Sequence, residues 1–380
     1  MFLRLSRSIR PTCTVIRAPV TSNNISVINN SKITLIRNRN LFSESFHGID
    51  VMRELQEKKT VIGEFSGTLR EVLRVKIKEK NMDARDLADF FLLTESEEDL
   101  YLCFTLLQRI VAKNVAGQKG WDEHSELFFL FFLQLCFILE MPQHAVTLWN
   151  DPILKFTKFH KESTVLSRLF MDLLFCNNMF SNVLETFKSD EDILRKNPDC
   201  VALTSLSCYK IGTQVALEEG LRILAHPELV IKSPRCHQSL ALLAYNLNEY
   251  NVAFDLMNKY SFQKSCSEAM VSLMVMVLLE KSLVKEAVVL FEAQVGKPGK
   301  FCYFALDKLL DASKKSRDNS LVSRVQNLMR DLRSNHSSIN DDLGKRLLQT
   351  IEQISNGPDE NAPDIKPFSS KEPNKCVKCQ

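Results

Sequence analysis

LFCNNMFSNVLETF, running from Leu174 to Phe187, is a fourteen-residue stretch that returns along the chain. CFILEMPQHAVTLW from Cys136, AYNLNEYNVAFDLM from Ala244 and LLEKSLVKEAVVLF from Leu278 align with it without gaps. The tenth place is small or compact (Ala145, Val183, Ala253, Ala287) and the eleventh is apolar (Val146, Leu184, Phe254, Val288). The second place is bulky (Phe137, Phe175, Tyr245, Leu279), as is the fourteenth (Trp149, Phe187, Met257, Phe291). The tenth-place step from Val183 to Ala253 is twice as long as the step from Ala253 to Ala287, so one unit is missing from the longer interval. A degenerate copy is expected around Gly220, with Leu217, Leu221 and Leu224 in matching relative places. The shorter step sets a period of about 34 residues, the size of a helical hairpin, a unit that cannot bury its own apolar face and must stack on neighbours. The fold class expected is all-α, an α-solenoid of stacked helix-turn-helix units. Small tenth-place residues would let the two helices of a pair approach, and bulky second and fourteenth places would fill the space between pairs.

The rest of the chain agrees with this reading. Apolar residues recur at three and four, as in Leu100, Phe104, Leu107 and Val111, and no sustained period-two alternation occurs. Gly is scarce, 11 in 380, so few positions suit tight turns. Proline falls at expected breaks: Pro142, Pro152, Pro198, Pro227, Pro234 and Pro298. Helix pairs are expected at 84–117, 122–154, 162–195, 199–230, 234–262 and 266–296, then helices at 300–313, 318–333 and 340–355. The domain organisation expected is a leader at 1–43, a basic helical segment at 50–82, the repeats at 83–297, capping helices at 298–355 and a polar, proline-bearing disordered tail at 356–380.

The first 43 residues hold no Asp or Glu and seven basic residues, Arg4, Arg7, Arg10, Arg17, Lys32, Arg37 and Arg39. An Arg- and Ser-rich, acid-free start is the composition of a mitochondrial transit peptide, and no long apolar core follows that would suit secretion. The expected localisation is the mitochondrial matrix, with cleavage between Arg39 and Ser45. Residues 44–380 keep 42 of the 49 basic residues and all 46 acidic ones, which turns +3 into −4. A generally cationic nucleic-acid binder is thereby excluded, and RNA contact would need a local basic face.

Eleven cysteines at irregular spacing do not form a disulfide framework, and most sit singly among Leu, Phe and Tyr as reduced core thiols. Cys376-Val-Lys-Cys379 is a lone CxxC and reads as part of a solvated tail. The most apolar run, Leu127–Leu139, is thirteen residues interrupted by Gln134, too short for a bilayer, which needs ~20. It reads as a helix buried on all sides, and no membrane span is expected.

No Gly-rich phosphate loop, HExxH, GxSxG or paired CxxC occurs, and the seven histidines are scattered, as at His144, His160 and His237. Acidic clusters at Asp190–Asp192 and Asp341–Asp342 fall at expected helix starts, where negative charge meets the helix dipole. No catalysis, metal or cofactor is expected. Three basic groups are candidate contacts: Arg70, Arg74, Lys76, Lys78 and Lys80; Lys155, Lys158, Lys161 and Arg168, interleaved with Phe156 and Phe159 as stacking faces; and Lys314, Lys315, Arg317 and Arg324. The second group combines charge, aromatics and the entry to a repeat.

The fourteen-residue block resembles the hinge and second helix of a pentatricopeptide repeat: a Leu-rich helix end, a polar turn, then Ala-Leu-x-x-Phe. Val51–Lys59 (VMRELQEKK), Asn81–Glu97, Leu135–Leu148, Met171–Phe175 (MDLLF) and Cys208-Tyr-Lys are similar to a short metazoan mitochondrial branch of that family. The resemblance covers about residues 50–300. It implies a matrix protein that binds single-stranded mitochondrial RNA and acts in RNA maturation, and through it in respiratory-chain expression. Partners implied are RNA-processing proteins or, from a related branch, the small subunit of the mitochondrial ribosome. In base-reading arrays a polar residue near the start of each first helix reads one base. Counting back fifteen from the tenth place gives Leu130, Arg168, Gln238 and Ser272. Ser272 fits a reader and Gln238 is chemically suited, Arg168 is not an expected reader, and Leu130 cannot hydrogen-bond a base edge. No intact base code is expected.

Overall fold

A computed structural model of the chain describes Phe42 and residues 46–61, 66–79, 84–115, 122–152, 163–226, 234–261, 268–295 and 303–335. The leader expected at 1–43, apart from Phe42, the helix expected at 340–355 and the tail with Cys376 and Cys379 lie outside the described residues. All the described residues fall within one compact unit, Asn40–Gln380.

The described residues are all-helical, with seventeen helices and no strand. They are α1 Ile49–Val61, α2 Ser66–Lys78, α3 Ala84–Leu92, α4 Glu97–Val115, α5 Asp122–Ile138, α6 Pro142–Trp149, α7 Thr164–Cys176, α8 Phe180–Ser189 and the single turn α9 Glu191–Leu194. They continue as α10 Pro198–Ile211, α11 Gln214–Leu224, α12 Pro234–Asn246, α13 Tyr250–Ser261, α14 Glu268–Glu280, α15 Val284–Val295, α16 Tyr303–Lys315 and α17 Asn319–Asn335. Helix starts follow local chemistry. Pro142 and Pro198 occupy first-turn positions, where a missing N–H costs nothing. Ser163 Oγ accepts from Leu166 N at 3.4 Å, Asn197 Oδ1 from Asp199 N at 3.0 Å and Thr213 Oγ1 from Ala216 N at 3.2 Å. Among the described residues no helix is long and apolar enough to cross a membrane.

The fourteen-residue blocks are hinges. Their fifth residue is left-handed in every case: Glu140 (φ 56), Asn178 (φ 58), Asn248 (φ 64) and Ser282 (φ 61). In each, the N–H of the sixth residue closes onto the carbonyl of the first: Met141 to Cys136 at 2.9 Å, Met179 to Leu174 at 2.9 Å, Glu249 to Ala244 at 2.8 Å and Leu283 to Leu278 at 2.9 Å. The fifth N–H bonds the second carbonyl, as Asn178 to Phe175 at 3.0 Å. This double closure satisfies orphan carbonyls of the first helix and turns the chain directly into the second.

Two further left-handed residues extend the series. Gly212 (φ 72) sends its N–H to Cys208 O at 3.1 Å, and Arg317 (φ 57) to Lys314 O at 3.3 Å. The missing unit therefore starts at Cys208, and its tenth place is Leu217 rather than Gly220. The register expected around Gly220 is corrected accordingly, back to Leu217. Hinges then recur at nearly even spacing, from Glu140 through Asn178, Gly212, Asn248 and Ser282 to Arg317. Tyr303–Lys315 and Asn319–Asn335, expected as caps, are also joined through a left-handed residue, Arg317, with Asp318 N–H turned to Ser316 Oγ at 3.4 Å. By contrast, the Leu93–Ser96 link between α3 and α4 has no left-handed residue.

Consecutive hairpins pack in chain order. The first helices α5, α7, α10, α12, α14 and α16 touch one another in sequence, and α6, α8, α11, α13 and α15 each rest on the following first helix. The tenth-place residues Ala145, Val183, Ala253 and Ala287 are fully buried, as are the fourteenth-place Phe187 and Phe291. Trp149, at the fourteenth place, stacks on Phe170 of the next hairpin with centroids 4.4 Å apart. First helices are buried nearly all round: α7 from Leu169 to Phe175, α10 from Cys200 to Cys208. Second helices are amphipathic and keep one face in solvent. The run Leu127–Leu139 forms the inner part of α5, with Phe128, Phe132, Leu133 and Leu135 at zero exposure.

Candidate nucleic-acid interface

The first basic group belongs mostly to α2, whose cations turn inward. Arg74 donates to Asp99 Oδ1 from Nε at 2.9 Å and Nη2 at 2.6 Å, and from Nη1 to Glu71 at 2.8 Å. The hydrogen bond to Asp99 holds its guanidinium above the usual arginine range. Lys76 Nζ lies 2.9 Å from both oxygens of Asp86. Arg70 pairs with Glu95 and donates to Leu93 O at 3.1 Å. These side chains dock α2 onto its neighbours, so Arg74 and Lys76 do not form a free cationic face. Lys78 is exposed, and Lys80 lies outside the described residues.

In the second group, Lys155, Lys158 and Lys161, with Phe156 and Phe159, lie outside the described residues. Arg168 is placed, and it is occupied. Its Nη1 meets Asp199 Oδ2 at 3.1 Å, and its guanidinium sits 3.9 Å from the Phe46 ring centroid and 5.8 Å from that of Phe42. Arg168 is thus a junction between the chain before α1 and two hairpins. Gln238 and Ser272, chosen as base readers, are 3% and 0% exposed. A side chain enclosed between packed helices cannot present a polar edge to a base, so both choices are corrected. The first helices they sit on are covered on nearly every side, whereas a reader needs one open face. In the third group Lys314 faces Asp311 at 4.0 Å, and Arg324 grips Glu292 at 2.8 and 2.5 Å. That grip holds the Glu292 carboxyl below its usual range.

A cluster at the hinge end of three hairpins escaped sequence reasoning. The hinge brings its second and seventh residues together, so Tyr245 and Tyr250 lie with centroids 5.7 Å apart, as Phe175 and Phe180 do at 5.3 Å. Lys281 Nζ stands 4.8 Å above the Phe254 ring centroid and donates to Asn251 Oδ1 at 2.6 Å. Lys308 donates to the Tyr245 hydroxyl at 3.2 Å, and Glu280 faces Lys308 at 3.7 Å. Burial pushes the Tyr245 phenol up, against the opposing pull of Lys308. Partly exposed rings with ammonium groups beside them are the chemistry that stacks bases and meets phosphates. Aromatic residues at the second and seventh places were the available signal. The lysines come from later hairpins and could not be joined to them without the fold.

Among the described residues no group of three or more His, Cys, Asp or Glu is arranged to hold a metal ion. No family model, curated protein or solved structure matches the chain.

Proposed function

We infer that the chain is a non-catalytic α-solenoid of pentatricopeptide type. The observation that carries this reading is the left-handed hinge that recurs at nearly even spacing from Glu140 to Arg317. The particular role proposed is to hold single-stranded RNA in the mitochondrial matrix during RNA maturation, and so to sustain expression of the respiratory chain. The acid-free leader, the family resemblance and the Tyr245–Tyr250–Phe254–Lys281–Lys308 cluster support it. With Gln238 and Ser272 enclosed, recognition proceeds by stacking and backbone charge, which is tolerant of sequence and sensitive to salt. No cofactor takes part. Crosslinking of RNA to the protein in isolated mitochondria tests the role. Recovery of mitochondrial transcripts above background is expected, and recovery of none would end it. Lys158→Glu and Lys281→Glu are expected to weaken RNA retention on filters while leaving the melting curve unchanged.

A second reading is a protein-binding adaptor, for example on the small mitochondrial ribosomal subunit or beside RNA-processing proteins. The ion pairs that absorb Arg70, Arg74, Lys76 and Arg324 favour it, as does the −4 balance of residues 44–380. Stoichiometric sedimentation with the small subunit would support the adaptor, and migration as free protein would count against it.

A further inference from the structure

Phe42 and residues 46–48, just before α1, and the first turn of α1 are built into the hairpins. Phe42, His47, Ile49 and Met52 are 4% exposed or less. His47 Nε2 lies 2.8 Å from Asp172 Oδ2 on α7, and both side chains are fully enclosed. Asp172 Oδ1 also accepts from the Cys176 thiol at 3.7 Å. Gln134 on α5 donates to the His47 carbonyl at 2.8 Å. Gly48 turns the chain into α1 at φ 69, and a Cβ there would meet Gln134 Nε2 at 3.2 Å. Phe42 and Phe46 stack with centroids 5.2 Å apart, and Arg168 lies against both rings. Phe42, Phe46, His47 and Gly48 therefore draw on charge, hydrogen bonding and ring stacking from α5 and α7.

We propose that Phe42 and residues 46–48 form a permanent strap of the folded protein, and that their seat limits how far the leader can be trimmed, to bonds on the amino-terminal side of Phe42. This rests on the reading of residues 1–43 as a leader, and it narrows the cleavage window expected between Arg39 and Ser45. Trimming is hydrolysis by an endopeptidase. Water adds across one amide bond, leaving a carboxylate on the released leader and an ammonium on the retained chain. A cut beside Phe46 would put that new charge next to an enclosed aromatic and ion-pair site, where an unpaired charge is strongly disfavoured. A cut after Phe42 would release one ring of the stack on Arg168.

The test compares the chains 40–380 and 49–380 by thermal melting, and reads the amino-terminus of the protein recovered from mitochondria. The 40–380 chain is expected to melt with the full-length protein, and the 49–380 chain at least ~5 °C lower or not to fold. Should 49–380 fail to fold for another reason, amide exchange on the full-length protein decides: residues 46–52 are expected to be protected like α7. Equal melting of the two chains, or unprotected exchange there, overturns the strap. A recovered terminus at Ser43 or beyond overturns the limit. Recovery of the uncleaved chain overturns the leader reading alone, because melting and exchange judge the strap independently.

Discussion

Gly220 shows how one residue takes a role that spacing assigned to another. It lies three places past Leu217, on the face of α11 that meets α12. A Cβ there would stand 2.5 Å from Leu240 Cδ2 and 3.0 Å from Cδ1, and Leu240 has no exposed surface to move into. Alanine would gain ~1 kcal/mol of helix propensity. It would lose ~1–3 kcal/mol to overpacking. Gly220→Ala is therefore expected to lower stability by about 1 kcal/mol and Gly220→Val by more, read from urea unfolding. A stabilised Gly220→Ala would mean that α11 and α12 do not approach this closely. Buried thiols give a second residue-scale expectation. Burial pushes Cys103 and Cys208 up to about 12, from an ordinary value near 9. A group with a raised folded pKa stabilises fully below its unfolded value, and that stability is lost as pH rises through the folded one. Unfolding free energy is expected to fall between pH 9 and 12, less so in Cys103→Ala and Cys208→Ala. Both thiols should resist a thiol reagent at neutral pH until the protein is unfolded.

Among the structural elements, the hinge matters most. Gly212 adopts its left-handed backbone freely, and Asn178 and Asn248 tolerate it. Glu140, Ser282 and Arg317 bear a cost of roughly 1 kcal/mol each for the same conformation. Glu140→Gly and Ser282→Gly are expected to raise the melting temperature by about 1–3 °C. Ser282→Val should lower it, since a β-branched residue fits the left-handed region poorly. If the Ser282→Gly and Ser282→Val proteins melted alike, the hinge would not have this geometry in solution. Non-glycine hinges also explain how a chain with so little glycine makes so many tight turns: closure depends on backbone hydrogen bonds, which Glu or Arg can make. The unit at Cys208 departs from the register expected around Gly220 for a related reason. Gly220 looked like the small tenth place, whereas the turn is set by Gly212 and capped by Thr213.

Among the described hairpins packing runs chiefly to the next unit, and Lys308 also reaches Tyr245 two units back. Arg222 reaches Glu191 at 2.9 Å and Arg324 reaches Glu292 at 2.5 Å, each from one hairpin to its neighbour. Such exposed pairs contribute only ~0–1 kcal/mol each, so cohesion comes from the apolar layers. Ala253 is fully enclosed in one of them, the apolar cluster that also holds Leu217, Leu240 and Leu273. Ala253→Glu would bury a charge and overpack that layer, for a loss of at least ~3 kcal/mol. Because each unit is stabilised chiefly by its neighbours, the damage should uncouple residues after about 233 from those before. Circular dichroism is expected to show a lower, broader or two-step melt. A melt like that of the wild type would refute the packing role of the tenth place.

The helical class, the hinge period and the apolar layers were legible in the amino-acid sequence, because all three follow from local periodicity. That periodicity placed Ala145, Val183, Ala253 and Ala287 correctly at buried positions, and local composition marked Pro142 and Pro198 as breaks, where helices α6 and α10 begin. Packing between distant elements settled which polar side chains face outward. Gln238 and Ser272 are polar residues on helices buried all round, and Arg168 is a cation held by Asp199 and two rings from far earlier in the chain. The seating of His47 on α7 is equally silent in sequence, since His47 and Asp172 stand 125 residues apart. The physical reason is the range of the interactions. Periodicity is written within one or two turns, whereas an ion pair or a closed face depends on which hairpin comes to lie beside which.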